Sequence, residues 1–326
     1  MTKSINIFCA YAHNDKRFRD GIARHLNRNF IAKWYDREIE VDNEERKQID
    51  AHLNTSHIIL LLISVDFIAS DYCYGMEMKH ALERHEAGTA SIIPIIVRSV
   101  DWQGAPFSKL QVLPTYGKPV SSWTNADEAF QDIARGIQQV MKIIIKQQYM
   151  LDAETAMKNQ QYKSALVAYE EALQLGPDDS ALYEAKATTL YILGSIDEAL
   201  ATYQQAIKLK PESASVWRGR GQALVSMDRF SEALDAYEHA TGLEPDNPYL
   251  YKEKGDVFYQ LMKWDEALSC YEKAIHLKPD FSSAYLDISR VYDKLAQQNY
   301  DKLKQLAKKA NEAREKAKTS TDSHDQ

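Results

Sequence analysis

The spacing of apolar residues changes character once along the chain. In the first part, short apolar runs alternate with amphipathic stretches. Residues 5–10 are an apolar run that ends in the polar turn Tyr11-Ala12-His13-Asn14-Asp15. Over residues 15–29, Phe18, Ile22 and Leu26 recur every four positions, which predicts a helix. Residues 30–35 predict a second strand. Ile58–Ile63 is apolar at every position, as a strand buried on both faces must be. Residues 72–87 predict a helix stopped by Gly88, residues 92–97 a fourth strand, residues 118–121 a weak fifth strand, and residues 127–149 a further helix. Strands alternating with helices predict an α/β domain with a parallel, doubly wound sheet.

After residue 145 the period becomes 34. Pro177, Pro211, Pro245 and Pro279 are spaced by that interval. Twelve residues before each lies an alanine (Ala165, Ala199, Ala233, Ala267), eight before a tyrosine (Tyr169, Tyr203, Tyr237, Tyr271), and five before another alanine (Ala172, Ala206, Ala240, Ala274). Small residues lie 24 before (Ala153, Ala187, Gly221, Gly255) and aromatics 28 before (Tyr149, Tyr183, Trp217, Tyr251). Within a unit, alanine, tyrosine and alanine share one helix face, so small residues admit a second helix and the ring fills the gap. The proline stops the second helix. Two such helices cannot bury their apolar faces alone, and so the units stack. This pattern resembles the tetratricopeptide repeat family, with units at 146–179, 180–213, 214–247 and 248–281. Beyond Pro279 it decays: Asp301 and Gln305 stand where alanine and tyrosine are expected. Residues 282–296 and 300–318 are therefore read as C-terminal capping helices over 282–318, and 319–326 as a disordered tail. No Gly or Pro occurs between Gly136 and Gly176, and Ile137, Val140, Met141, Ile144 and Ile145 lead into Tyr149 and Ala153. That stripe predicts a helix running without interruption through residues 137–150.

Composition narrows the function classes. The net charge of −7 is carried by the repeats: residues 1–145 hold 17 Lys/Arg against 18 Asp/Glu, and residues 146–326 hold 23 against 29. A chain without a basic footprint is not expected to bind nucleic acid or an anionic membrane surface. No apolar run approaches the roughly 18 residues of a membrane helix. The N-terminus lacks the long apolar region of a signal peptide. Cys9, Cys73 and Cys270 show neither metal-ligand spacing nor a disulfide framework, so no metal is expected and the thiols read as cytoplasmic.

In a sheet of order 2-1-3-4-5, ligands sit beyond the carboxyl ends of the strands, at the switch point between strands 1 and 3. The segments 7–15, 33–39, 57–73 and 92–102 together resemble the TIR domain family, chiefly its bacterial members, over residues 1–142. The resemblance implies this flavodoxin-like strand order. It directs attention to the exits of strands 1 to 3: Tyr11, Ala12 and His13; Asp36; Ser64; and the start of the next helix with Cys73 and Glu77. Some TIR domains only associate with one another. Others cleave NAD at the nicotinamide–ribose bond, with a glutamate at the position matched by Glu77, and for these NAD is substrate rather than cofactor. The resemblance thus implies an NAD glycohydrolase yielding nicotinamide and ADP-ribose or a cyclic isomer. It would be activated by self-association of the TIR domain and act in bacterial antiviral defence. Enzymatic members often carry Trp four residues before that glutamate, where this chain has Cys73. The loop Glu40-Val41-Asp42-Asn43-Glu44 lacks their Gly and Pro. The alternative is a non-catalytic scaffold, with Glu77 in an ordinary surface ion-pair row with Arg84. Superhelical repeats would offer a concave face to an unknown protein or peptide, and Arg218, Arg220, Lys252 and Lys254 could form a basic strip there.

Overall fold

A computed structural model describes residues 3–26, 31–36, 51–70, 75 and 77–321. The chain divides into two units, Met1–Asp152 and Ala153–Gln326. In the first, β1 (Ser4–Ala10), β2 (Ile31–Asp36), β3 (Ile58–Ile63) and β4 (Ser91–Ile96) form a parallel sheet of order β2-β1-β3-β4. Cys9 pairs with Asp36, Ala10 with Leu61, and Ile63 with Ile96. All of β3 is buried, as its uniform apolar sequence requires. On one face, Phe8, Ile59 and Leu61 pack with Phe67 of α2 (Val65–Ala69) and with Met78 and Ala81 of α3 (Met78–Glu86). Gly88, with φ 68°, follows the end of α3, and left-handed backbone favours glycine there. α1 (Lys16–Leu26) buries Phe18, Ile22 and Leu26, the four-residue stripe of the sequence.

The expected fifth strand over 118–121 does not form. Lys118 and Pro119 separate two short 3-10 turns, Thr115–Gly117 and Val120–Ser122, and Val120 and Ser121 belong to the second. Pro114 and Pro119 have no N–H to give to a ladder. Tyr116 and Gly117, with φ 62° and 65°, turn the chain. Isolated bonds cover the edge of β4 instead. Leu113 donates its N–H to the Pro94 carbonyl (2.9 Å) and accepts from Ile96 (2.8 Å), and the Ser121 N–H donates to the Val97 carbonyl (3.1 Å).

α4 spans Ala126–Lys158, so residues 137–150 are helical throughout. The second unit continues in antiparallel pairs: α5 (Tyr162–Leu175), α6 (Ser180–Ile192), α7 (Ile196–Leu209), α8 (Ala214–Val225), α9 (Phe230–Leu243), α10 (Pro248–Gln260) and α11 (Trp264–Leu277). The alanine–tyrosine–alanine stripes are its core: Ala199, Tyr203 and Ala206 pack with Ala187, Val216 and Ala223. A Cβ on Gly255 would approach the Tyr271 ring to 2.7 Å, which is why this close approach takes glycine. The turn inside each pair also repeats at 34 residues, since Gln160, Gly194, Asp228 and Met262 all have positive φ (57°, 81°, 56° and 58°). The expected pair of capping helices is a single helix, α12 (Ser282–Thr321). Gln297, Gln298 and Asn299 offer no Pro or Gly to break it. Residues 319–321 of the expected tail belong to α12, and 322–326 lie outside the described residues. Among the described residues no helix is long and apolar enough to cross a membrane.

At the amino edge of the sheet the Asn6 N–H donates to His57 Nδ1 (3.1 Å) and the His57 N–H donates to the Asn6 carbonyl (2.9 Å). Burial, and then the nearby Arg84 guanidinium, hold the imidazole below its usual value of 6.5. The folded state thus resists protonation, so this stability is present above 6.5 and is lost as pH falls through the lowered folded value. The denaturation midpoint should fall between about pH 7.5 and 5.5, and by less in His57→Gln, which does not titrate in that range. Gly194→Ala tests the repeat turn. Its Cβ would meet open space, so only the backbone strain at φ 81° should register, a loss of about 1 kcal/mol in thermal unfolding.

Candidate functional site

Parallel strands deliver all their carboxyl ends to one edge, and charged residues that follow them meet there. Asp15 closes the turn after β1, its N–H donating to the Ala12 carbonyl (2.7 Å). Ser64 follows β3 and caps α2, its Oγ accepting the Phe67 N–H (3.1 Å). The same hydroxyl donates to Asp15 Oδ2 at 2.5 Å. Arg98, just beyond β4, donates from Nε to Asp15 Oδ1 (2.8 Å) and forms an ion pair with Asp66. Asn14 donates to Asp66 Oδ2 (3.1 Å). Asp15 is wholly buried, and a buried carboxylate is costly unless it is paired. Here a hydroxyl and a guanidinium compensate it. Hydrogen bonds from Arg98 first, and then Asn14, hold Asp66 below its usual carboxylate range, and the bond to Asp66 raises Arg98.

The exits named from the sequence do lie at this edge, but their side chains differ in availability. Tyr11 is buried, Ala12 is half-buried against the core that holds Met78, and His13 is exposed. Ser64 is engaged by Asp15 and the helix cap. Asp36 ends β2 opposite Cys9; its side chain, like the whole of Cys73 and residues 40–44, lies outside the described residues. Glu77 directly precedes α3 in helical backbone and is 2% exposed. It is not a solvated surface carboxylate. Arg84, its expected partner in a surface row, donates instead to the carbonyls of Leu53 and Thr89. The Asp15–Arg98 pair was not anticipated. The signal for it was a lone arginine just after a buried strand and a lone aspartate just after another.

The expected basic strip of the repeats is a set of ion pairs. Arg218 grips Glu253 with Nε and Nη2 (3.0 and 2.5 Å), Lys252 lies between Asp256 (2.8 Å) and Asp287 (3.3 Å), and Lys254 faces Glu238 (3.4 Å). Arg220 sits over the Trp217 ring. The carboxylates come from neighbouring helices or the next turn, so the strip carries little free positive charge.

The model of the TIR domain matches residues 7–134, and models of the tetratricopeptide repeat match 187–228, 214–247 and 248–281. The chain carries a TIR domain followed by TPR repeats, a protein-interaction region. Among curated proteins it resembles the uncharacterised protein y4lF of Sinorhizobium fredii (strain NBRC 101917 / NGR234), with 40% identity over 189 residues, 56% of this chain and 57% of that protein. The chain thus spans little more than half the length of that relative. Similar solved structures include MamA (24% identity, TM-score 0.44, 48% of this chain and 85% of that chain). Another is YrrB, described as a TPR protein with an unusual peptide-binding site (24% identity, TM-score 0.40, 42% and 71%).

Removing Asp15 should test how strongly the site edge is tied. Asp15→Ala leaves the Ser64 hydroxyl and one side of Arg98 unmatched, at a cost of about 2–3 kcal/mol in chemical denaturation. Arg98→Lys, which cannot form the same fork, should recover only part of the wild-type stability.

Proposed function

We propose that the TIR domain cleaves NAD at the nicotinamide–ribose bond, with Glu77 as the essential carboxylate. The observation that carries this reading is the burial of Glu77 at the start of α3. Chains place carboxylates on helix surfaces at little cost, whereas one carried inside is retained against desolvation. Departure of neutral nicotinamide leaves positive charge on C1′ and the ring oxygen of the ribose, as in glycoside cleavage. A fixed carboxylate that accepts hydrogen bonds from the ribose hydroxyls orients the sugar and stabilises that charge. Water then adds at C1′ and loses a proton, giving ADP-ribose; attack by the substrate's own adenine gives a cyclic isomer. Tyr11, Ala12, His13, Asp36, Ser64 and Cys73 are the residues assigned to the rim. For Tyr11 and Ser64 this requires the exits to rearrange when substrate binds, and self-association of TIR domains supplies a reason for them to do so. In the cell the activity would deplete NAD, or make a signal nucleotide, in response to infection sensed through a protein bound on the concave face of the repeats.

A non-catalytic TIR and TPR scaffold is the second reading, and the inward engagement of Tyr11 and Ser64 favours it. Nicotinamide release from NAD by the full chain, with and without forced clustering, separates the two. Glu77→Ala should lower the rate by roughly 10²–10³ or more at unchanged circular dichroism, and Glu77→Gln by nearly as much, because the amide keeps the shape but not the charge. Full activity in Glu77→Gln would remove the carboxylate from the mechanism. Silence of the clustered wild type would leave the scaffold.

A further inference from the structure

The last helix of the repeat array carries an apolar face that the preceding repeats cover. α12 stacks on α11 through Ile288, Val291 and Leu295, which pack with Ala267 and Tyr271. It therefore stands where the first helix of a fifth unit would stand. Tyr292 lies 34 residues after Phe258 and 68 after Leu224. Leu224 is 1% exposed and Phe258 is packed, whereas Tyr292 is 54% exposed. Tyr285, in register with the packed Trp217, is exposed as well. The difference is the second helix of the unit. In earlier units it brings alanine, tyrosine and alanine across this face; here Asp301, Gln305 and Lys308 hold those positions. A helix so polar cannot fold back as a core element, and α12 runs straight on. Leu286, Tyr300 and Leu303 extend the exposed face.

We propose that this face binds α12 of a second copy of the chain, antiparallel and about a two-fold axis near Lys294. The spacing is self-complementary. Tyr285 and Leu303 lie nine residues to either side of Lys294, and Tyr292 and Ala296 two to either side, all on one helix face. An antiparallel partner then sets Tyr285 against the second copy's Leu303 and places Tyr292 over its Ala296, whose small side chain permits close approach. Leu286 falls near the second copy's Tyr300 by the same symmetry. Such an interface is isologous and closes as a dimer. The exposed side chains supply roughly 500 Å² per copy, more than half of the roughly 800 Å² per partner of a specific interface. The facing stretch, residues 285–303, is electrically balanced, with three Lys/Arg against three Asp/Glu, and the excess positive charge of the helix lies beyond it. α12 holds nine Lys/Arg against five Asp/Glu, while residues 146–281 hold 14 against 22. In the antiparallel pair, Lys308 runs past the first turn of the partner helix and comes level with the second copy's Asp280.

Disulfide trapping in the full-length protein tests the arrangement. Tyr285→Cys and Leu303→Cys are made in separate, differently tagged copies, mixed and mildly oxidised, with the native cysteines as background. The expected product is the mixed disulfide, well above either variant alone. Self-linkage of Tyr285→Cys, or no linkage above background, overturns the proposal. In sedimentation, Tyr292→Asp combined with Leu303→Asp should weaken self-association by about 100-fold at unchanged helicity. Undiminished association in that variant, or a wild type that stays monomeric at tens of micromolar, overturns it equally. None of these readouts depends on NAD cleavage.

Discussion

A parallel strand that is apolar on every residue must be covered on both faces, and Ile58–Ile63 imposes that condition on the first unit. With β3 inside the sheet, helices have to cover both of its faces: Met78 and Ala81 of α3 pack on one of them, and α1 adds Phe18 and Ile22 to the buried core of the unit. The same condition fixes where chemistry can happen. Interior positions are filled by Ile and Leu, so polar groups are tolerated only where strands end, and parallel strands end together. Asp15, Ser64, Asp66 and Arg98 are gathered at that edge by topology alone.

The edge they form is closed by its own hydrogen bonds. Arg98 divides its guanidinium between two carboxylates, and the Ser64 hydroxyl both gives and accepts a bond. These bonds give the loops after β1, β3 and β4 a defined arrangement. Glu77 enters at the start of α3 as a buried carboxylate, and its burial distinguishes it from the other acidic residues of that helix, Glu83 and Glu86, which are more exposed. Under the proposed function, movement of the strand exits would be what reveals Glu77 to substrate.

In the second unit, stability is a sum over neighbours, each unit completing the one before it. Tyr203, Tyr237 and Tyr271 are buried because a following helix lies over them. That logic leaves a remainder wherever the series stops. α12 inherits the packed face from α11 and exposes the other, and its own continuation is too polar to cover it.

The sequence alone determined whatever depends on local period. The strands and helices of the first unit and the 34-residue repeat could be read from it, because alternation, helical spacing and proline act within a few residues. Even the positive-φ turn positions, from Gln160 to Met262, follow that period. It misled where local preference met a tertiary requirement. The weak strand expected over residues 118–121 lost to Pro114 and Pro119, which could not complete a ladder. The gap seen near residue 298 was no break, because nothing there stops a helix. Only the tertiary structure decided which charges meet. Asp15 and Arg98 are 83 residues apart and Arg218 and Glu253 are 35 apart. Electrostatic pairing depends on distance in space, and the order of residues along the chain holds no record of that until the chain has folded.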